Sequence, residues 1–130
     1  MVNGERAAVK FQTIFLPEHQ VLTIRVLGVG DPDLVPQMVT AILSAPEFRP
    51  GMSVMIDALS TDYLPTAQEA AAFPAVFATR LSGSRIAVTV RDPAQYSVSC
   101  LVEAIAVRRD IPFAVFFDRE EALAWLTEKR

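Results

Sequence analysis

Apolar and polar side chains alternate twice near the start of the chain. Lys10–Leu16 reads as one strand, and Val21–Leu27 places Thr23 and Arg25 on one face of a second, half-buried strand. Only the turn Pro17-Glu18-His19-Gln20 separates them, too short for a parallel crossover, so the pair is expected to form an antiparallel hairpin. After Gly28 and Gly30 the period changes. Val35, Met38, Val39, Ile42 and Leu43 recur at helical spacing, with Asp33 as the expected cap and Ala45-Pro46 as the stop. Pro36 is tolerated in the first turn, where its amide has no intrahelical partner to lose. The run Ser53-Val54-Met55-Ile56, stopped by Asp57, is too short for a helix and nearly all apolar, which suits a central parallel strand. Arg85–Val90 and Phe113–Phe117 read as two more strands.

Three further helices lie between and after these strands. Thr66-Ala67-Gln68-Glu69 has the spacing of a capping box, a hydroxyl with Glu three residues later. The helix it opens carries Ala70, Phe73, Phe77 and Leu81 along one stripe, and Pro74 is expected to kink it or split it in two. Asp92-Pro93 opens another helix that runs to Arg108-Arg109, and Asp118 opens the last, with Ala122, Leu123, Trp125 and Leu126 packed inward. The order β-β-α-β-α-β-α-β-α predicts an α/β fold: a five-stranded, mostly parallel mixed sheet with four helices. We expect one domain over residues 1–130, with residues 1–9 loosely ordered.

Composition narrows the function classes. One Cys among 130 residues excludes an intramolecular disulfide framework and a Cys-based zinc site, and one His leaves no His cluster. No apolar run approaches the ~18 residues of a membrane span, and Met1–Lys10 has no apolar signal core, so a cytoplasmic protein is expected. A net charge of −3 argues against broad nucleic-acid binding.

The ordered set of local motifs resembles a family. Ala45-Pro46-Glu47-Phe48-Arg49-Pro50-Gly51 precedes the third strand, Asp57 ends it, and Thr66 opens a helix. Arg85-Ile86-Ala87-Val88 follows, then Phe116-Phe117-Asp118 leading to Ala122-Leu123-Ala124-Trp125-Leu126. Together they resemble the SpoIIAA-like domains, relatives of the STAS domains (sulfate transporter and anti-sigma factor antagonist), and more closely a branch of small stand-alone bacterial proteins. The resemblance spans about residues 10–128. It implies a regulatory module that binds a protein partner or a second copy of itself as a homodimer. In anti-sigma antagonists a Ser after an Asp at the start of the second helix is phosphorylated to break partner binding. Here that pair falls on Pro65-Thr66, so the hydroxyl is kept, the Asp is lost, and the Ser-Ser-Gly run is absent. Related α/β lipid-transfer domains hold apolar ligands under a helical lid, which implies the alternative of a small carrier or sensor.

The residues themselves suggest where chemistry sits. The carboxyl ends of parallel strands are the usual binding edge, and here they carry Asp57 to Tyr63, Arg91-Asp92 and Asp118. Thr66 is the phospho-switch candidate, although capping alone explains a hydroxyl there; with Arg91 it is also placed for an anion. A magnesium site would need two or more of Asp57, Asp62, Asp92 and Asp118 on one ion, but capping and strand termination account for three of them. His19 is expected in a solvated turn with only Glu18 beside it, and Cys100 in a buried helix face with no local base to lower its pKa. Gly28-Val29-Gly30 lacks the third glycine of a dinucleotide fingerprint. No nucleophile-base pair is legible, so no catalytic residue, metal ligand or cofactor is assigned. Phe73, Pro74, Val76 and Phe77, with Tyr63, give the second helix an apolar surface suited to an apolar or lipid-like ligand or a partner. The candidate ligand or partner contacts are therefore Asp57, Tyr63, Phe73, Phe77 and Arg91.

Overall fold

The two alternating segments pair as expected. β1 (Phe11–Leu16) and β2 (Val21–Val26) run antiparallel, with Ile14 opposite Thr23 and Gln12 opposite Arg25. β3 (Ser53–Asp57), β4 (Ile86–Thr89) and β5 (Phe113–Phe116) add in parallel, giving a five-stranded sheet in chain order. Four helices complete the fold: α1 (Leu34–Ser44), α2 (Ala67–Arg80), α3 (Pro93–Arg108) and α4 (Arg119–Leu126). The computed structural model describes residues 10–28, 30 and 33–128; the expected loose segment 1–9 and Val29 of the glycine pair lie outside the described residues.

Strand order decides which face each helix covers. Each parallel crossover steps one strand further the same way, so with the right-handed crossover rule α1, α2 and α3 all fall on one face. They pack there over Leu22, Ile24, Val26, Val54, Ile56, Ile86, Val88 and Phe113, the main core. Only α4 covers the opposite face, setting Ala122 and Leu126 against Val21, Met55 and Ala87. An eight-residue helix cannot cover five strands; α4 lies over β3, β4 and β5, and Ile14 of edge strand β1 stays exposed. Since the strand order never reverses, the sheet has no switch-point crevice, and any site at its carboxyl edge must be built by loops.

Local signals mostly hold. Thr66 and Glu69 form the capping box, and Asp92 and Asp118 accept the Gln95 and Glu120 amides. Two details differ. Asp33 stands at the start of α1 but makes no side-chain cap bond, and Leu43 is exposed because the buried stripe runs through Leu34, Val35, Met38, Val39 and Ile42. Of the two outcomes expected at Pro74, a split is absent: α2 runs on through it, with the cap at one end and burial of Ala70, Phe77 and Leu81 holding both halves on the core. Beyond β2, Gly28 bridges to Thr61 in parallel.

Candidate functional site

The long segment between β3 and α2 is held by its own polar groups. Thr61 donates its hydroxyl to the Gly28 carbonyl at 2.6 Å and accepts the Tyr63 amide at 3.1 Å. Gln95, in the first turn of α3, donates Nε2 to the Thr61 carbonyl at 3.0 Å while its Oε1 accepts the Arg91 amide at 2.7 Å. Gln95 is buried, and it lies in the stripe that continues through Val98, Val102 and Ala106. A polar residue within an apolar helical stripe was the signal that could have found it, since a buried amide needs partners.

This loop roofs a cavity of about 90 Å³ between α1, α2, α3 and the sheet. Its lining is mainly apolar, including Met38, Phe73, Phe77, Val98 and Phe113, with Thr61 and Gln95 on the loop side. Phe77 is buried and stacks on Phe113 at 5.9 Å, while Phe73 and Tyr63 are half-buried at the cavity. The volume is well below the several hundred Å³ of pockets that enclose a drug-sized molecule. It suits a small apolar group and not a whole lipid.

A second polar cluster lies on the other face of the sheet. Asp57 is fully buried, and its Oδ2 accepts from Arg119 Nε at 2.8 Å and Arg25 Nε at 3.2 Å. Its Oδ1 accepts the Leu59 amide at 3.0 Å and the Thr89 hydroxyl at 3.3 Å. Burial pushes this carboxyl up, but the Leu59 amide, Arg119 and Arg25 outweigh burial and hold it below its ordinary value. The cluster joins β2, β3, β4 and α4.

The structure brings together some of the candidate residues and separates others. Tyr63, Phe73 and Phe77 meet at the cavity. Asp57 does not join them: the pleat turns it to the α4 face, and its oxygens are occupied. Arg91 reaches Asp62 at 2.9 Å and Asp92 at 3.7 Å, an exposed pairing. Thr66 is exposed, accepting the Glu69 amide at 3.1 Å while Glu69 accepts the Thr66 amide at 2.9 Å. Phe77, being core, is no surface contact for a partner. Cys100 is half-buried rather than buried, and its thiol beside the Tyr96 hydroxyl pushes that phenol up. His19 is exposed in the hairpin turn. Among the described residues no group of three or more His, Cys, Asp or Glu is placed to hold a metal, and no helix is long and apolar enough to cross a membrane.

Solved structures share this arrangement. A protein of the DUF3478 family from Shewanella loihica PV-4, with a SpoIIAA-like fold, superposes with a TM-score of 0.59 at 16% identity, covering 95% of this chain and 99% of that one. The chain has a SpoIIAA-like fold. An anti-sigma factor antagonist from Mycobacterium paratuberculosis superposes with a TM-score of 0.56 at 18% identity, covering 91% of this chain and 95% of that one. The SpoIIAA-like frame agrees with the β-β-α-β-α-β-α-β-α order and the single antiparallel edge. No family model matches the chain, and neither does any curated protein. At such identities the likeness is one of fold, and function must be argued from the site.

Proposed function

We propose that this SpoIIAA-like chain is a cytoplasmic, non-enzymatic regulatory module that binds a protein partner at the N-terminal end of α2. The observation that carries the reading is the pairing of the exposed Thr66 hydroxyl with exposed Leu64 on one continuous stretch, in a fold shared with an anti-sigma factor antagonist. A large exposed apolar side chain supplies contact area. A hydroxyl at a helix start supplies a switch, because a phosphate there adds nearly two negative charges and three acceptor oxygens. The partner is another protein or a second copy of this chain.

The test compares tagged Leu64→Asp, Thr66→Ala and Thr66→Glu with wild type in the cells that make the protein, using quantitative cross-linking. A partner that binds wild type and Thr66→Ala but is lost from Leu64→Asp and Thr66→Glu supports the reading. A cross-linked set unchanged by all three substitutions overturns it. Native mass spectrometry of the same samples reads self-association directly.

The cavity beneath α2 supports a second reading, a carrier or sensor for a small apolar ligand. Native spectra of protein from its own cells, set beside a denatured control, test it. An extra mass lost on denaturation and absent from a Val98→Phe variant that fills the cavity supports it; a bare protein in every preparation removes it.

A further inference from the structure

The face of the sheet that α4 covers only in part holds a groove with an ordered polarity. Its floor is Thr23 and Met55 of β2 and β3, one bank is Ile14 and Leu16 of β1, and the other is Leu123 of α4. At its carboxyl end stand Arg25 and Arg119. The volume is about 200 Å³, and the groove lies on the opposite face of the sheet from the cavity beneath α2. Strand geometry sets its length, since Leu16 stands opposite Val21, four residues or about 13 Å before Arg25 in the register.

Asp57 holds the two arginines in place. Each uses its Nε edge on the buried Oδ2, so each guanidinium is fixed in place with its terminal nitrogens left over. Among the described residues no other hydrogen bond reaches those nitrogens, and the side chains are 29% and 48% exposed. Two guanidiniums against one carboxylate leave a positive charge at that end of the groove. Glu120 on the α4 bank opposes part of it.

We propose that this groove binds a single-chain anionic amphiphile, with an acyl chain lying along β2 and its carboxylate or phosphate held by the terminal nitrogens of Arg25 and Arg119. The charge fits an anionic head, and paired donors suit both acids. The apolar banks fit the chain. The floor is recessed, with Thr23 and Met55 only 6% and 3% exposed beneath the flanking side chains, which suits a slender chain better than a helix. The site is independent of the partner surface at α2 and of the cavity beneath it.

Decanoate and decyl phosphate are the probes, with decanol and acetate as controls, titrated into the full chain by calorimetry and followed by amide chemical shifts. At least one anionic probe is expected to bind with shifts at Ile14, Thr23 and Leu123. Decanol should bind about tenfold more weakly, because it lacks the charge-assisted hydrogen bonds, and acetate should not bind measurably. Arg119→Gln should lose about tenfold in affinity, checked for folding by its thermal transition. Glu120→Gln, on an exposed residue, should gain affinity by about threefold at low salt and less at high salt. Equal binding of decanol and decanoate, unchanged affinity in both variants, or shifts confined to α2 and α3 would overturn the proposal, as would no binding of either anionic probe.

Discussion

Arg119 and Asp57, 62 positions apart, meet with Nε 2.8 Å from Oδ2, and Asp57 is wholly buried at that contact. Arg25 reaches the same oxygen from β2. One carboxylate thereby holds the start of α4 against two strands, and the same contact orients both guanidiniums toward the uncovered part of the sheet.

Acid sensitivity follows from this pairing. The native carboxyl sits below its ordinary value of 3.8, so on acidification the unfolded chain takes up the proton first. The stabilisation is complete above that ordinary value and is lost as pH falls through the lower native value. Asp57→Asn is expected to cost about 2 kcal/mol at neutral pH, below the range for a fully buried pair because both guanidiniums reach water. Urea unfolding measured between about pH 6 and pH 3 should show a shallower acid decline in the variant; parallel declines would refute the assignment.

Arg85 clamps the other end of α4. Its Nη1 donates to the carbonyls of Trp125 at 2.7 Å and Glu128 at 3.1 Å, and the guanidinium lies 4.6 Å over the Trp125 ring. Arg85→Met keeps the apolar stem and removes these contacts, at a cost of about 1.5 kcal/mol. Hydrogen exchange should accelerate at α4 amides before those of α1. Uniform acceleration throughout the chain would show that Arg85 acts on global stability instead.

The capping box at α2 separates a structural role of Thr66 from a regulatory one. Thr66→Ala should lower stability by about 1 kcal/mol and Thr66→Ser by only a few tenths, because the serine hydroxyl still accepts the Glu69 amide. Thermal transitions of the two variants decide it. Equal losses would mean that the methyl group, and not the hydrogen bond, matters there.

Gly30 lies where no side chain fits. A Cβ at that position would stand 2.7 Å from Cβ and Cγ of Tyr63 and 3.0 Å from Cδ1 of Leu34. Gly30→Ala is expected to cost about 1–3 kcal/mol by forcing the Tyr63 backbone or ring aside. Because Tyr63 lines the cavity, amide shifts should spread to Phe73 and Val98; a variant with unchanged stability would show that the loop yields without strain.

The elements were legible along the chain because each rests on local physics. Period-two alternation in Val21–Val26, the Thr66 and Asp92 caps, and Pro93 at a first helical turn depend on neighbours only a few residues away. Tyr63, Phe73 and Phe77 could be grouped for the same reason: they lie on one loop and one helix. Element order, with the right-handed crossover rule, then sufficed for a mostly parallel sheet with one antiparallel hairpin; the strand order and the face each helix covers came from the structure.

Tertiary structure alone decided which polar groups became partners. Arg25, Asp57 and Arg119 each had a plausible local role, on a solvent face, at a strand end or in a first helical turn, and nothing within four residues of any of them signals the other two. A buried carboxylate must be compensated, and which cations do so depends on strand register and on where α4 lands. Leu43 and Pro74 show the same limit: helical spacing places an apolar residue on a stripe, but the neighbouring surfaces decide whether it is covered and whether a broken hydrogen bond ends the helix.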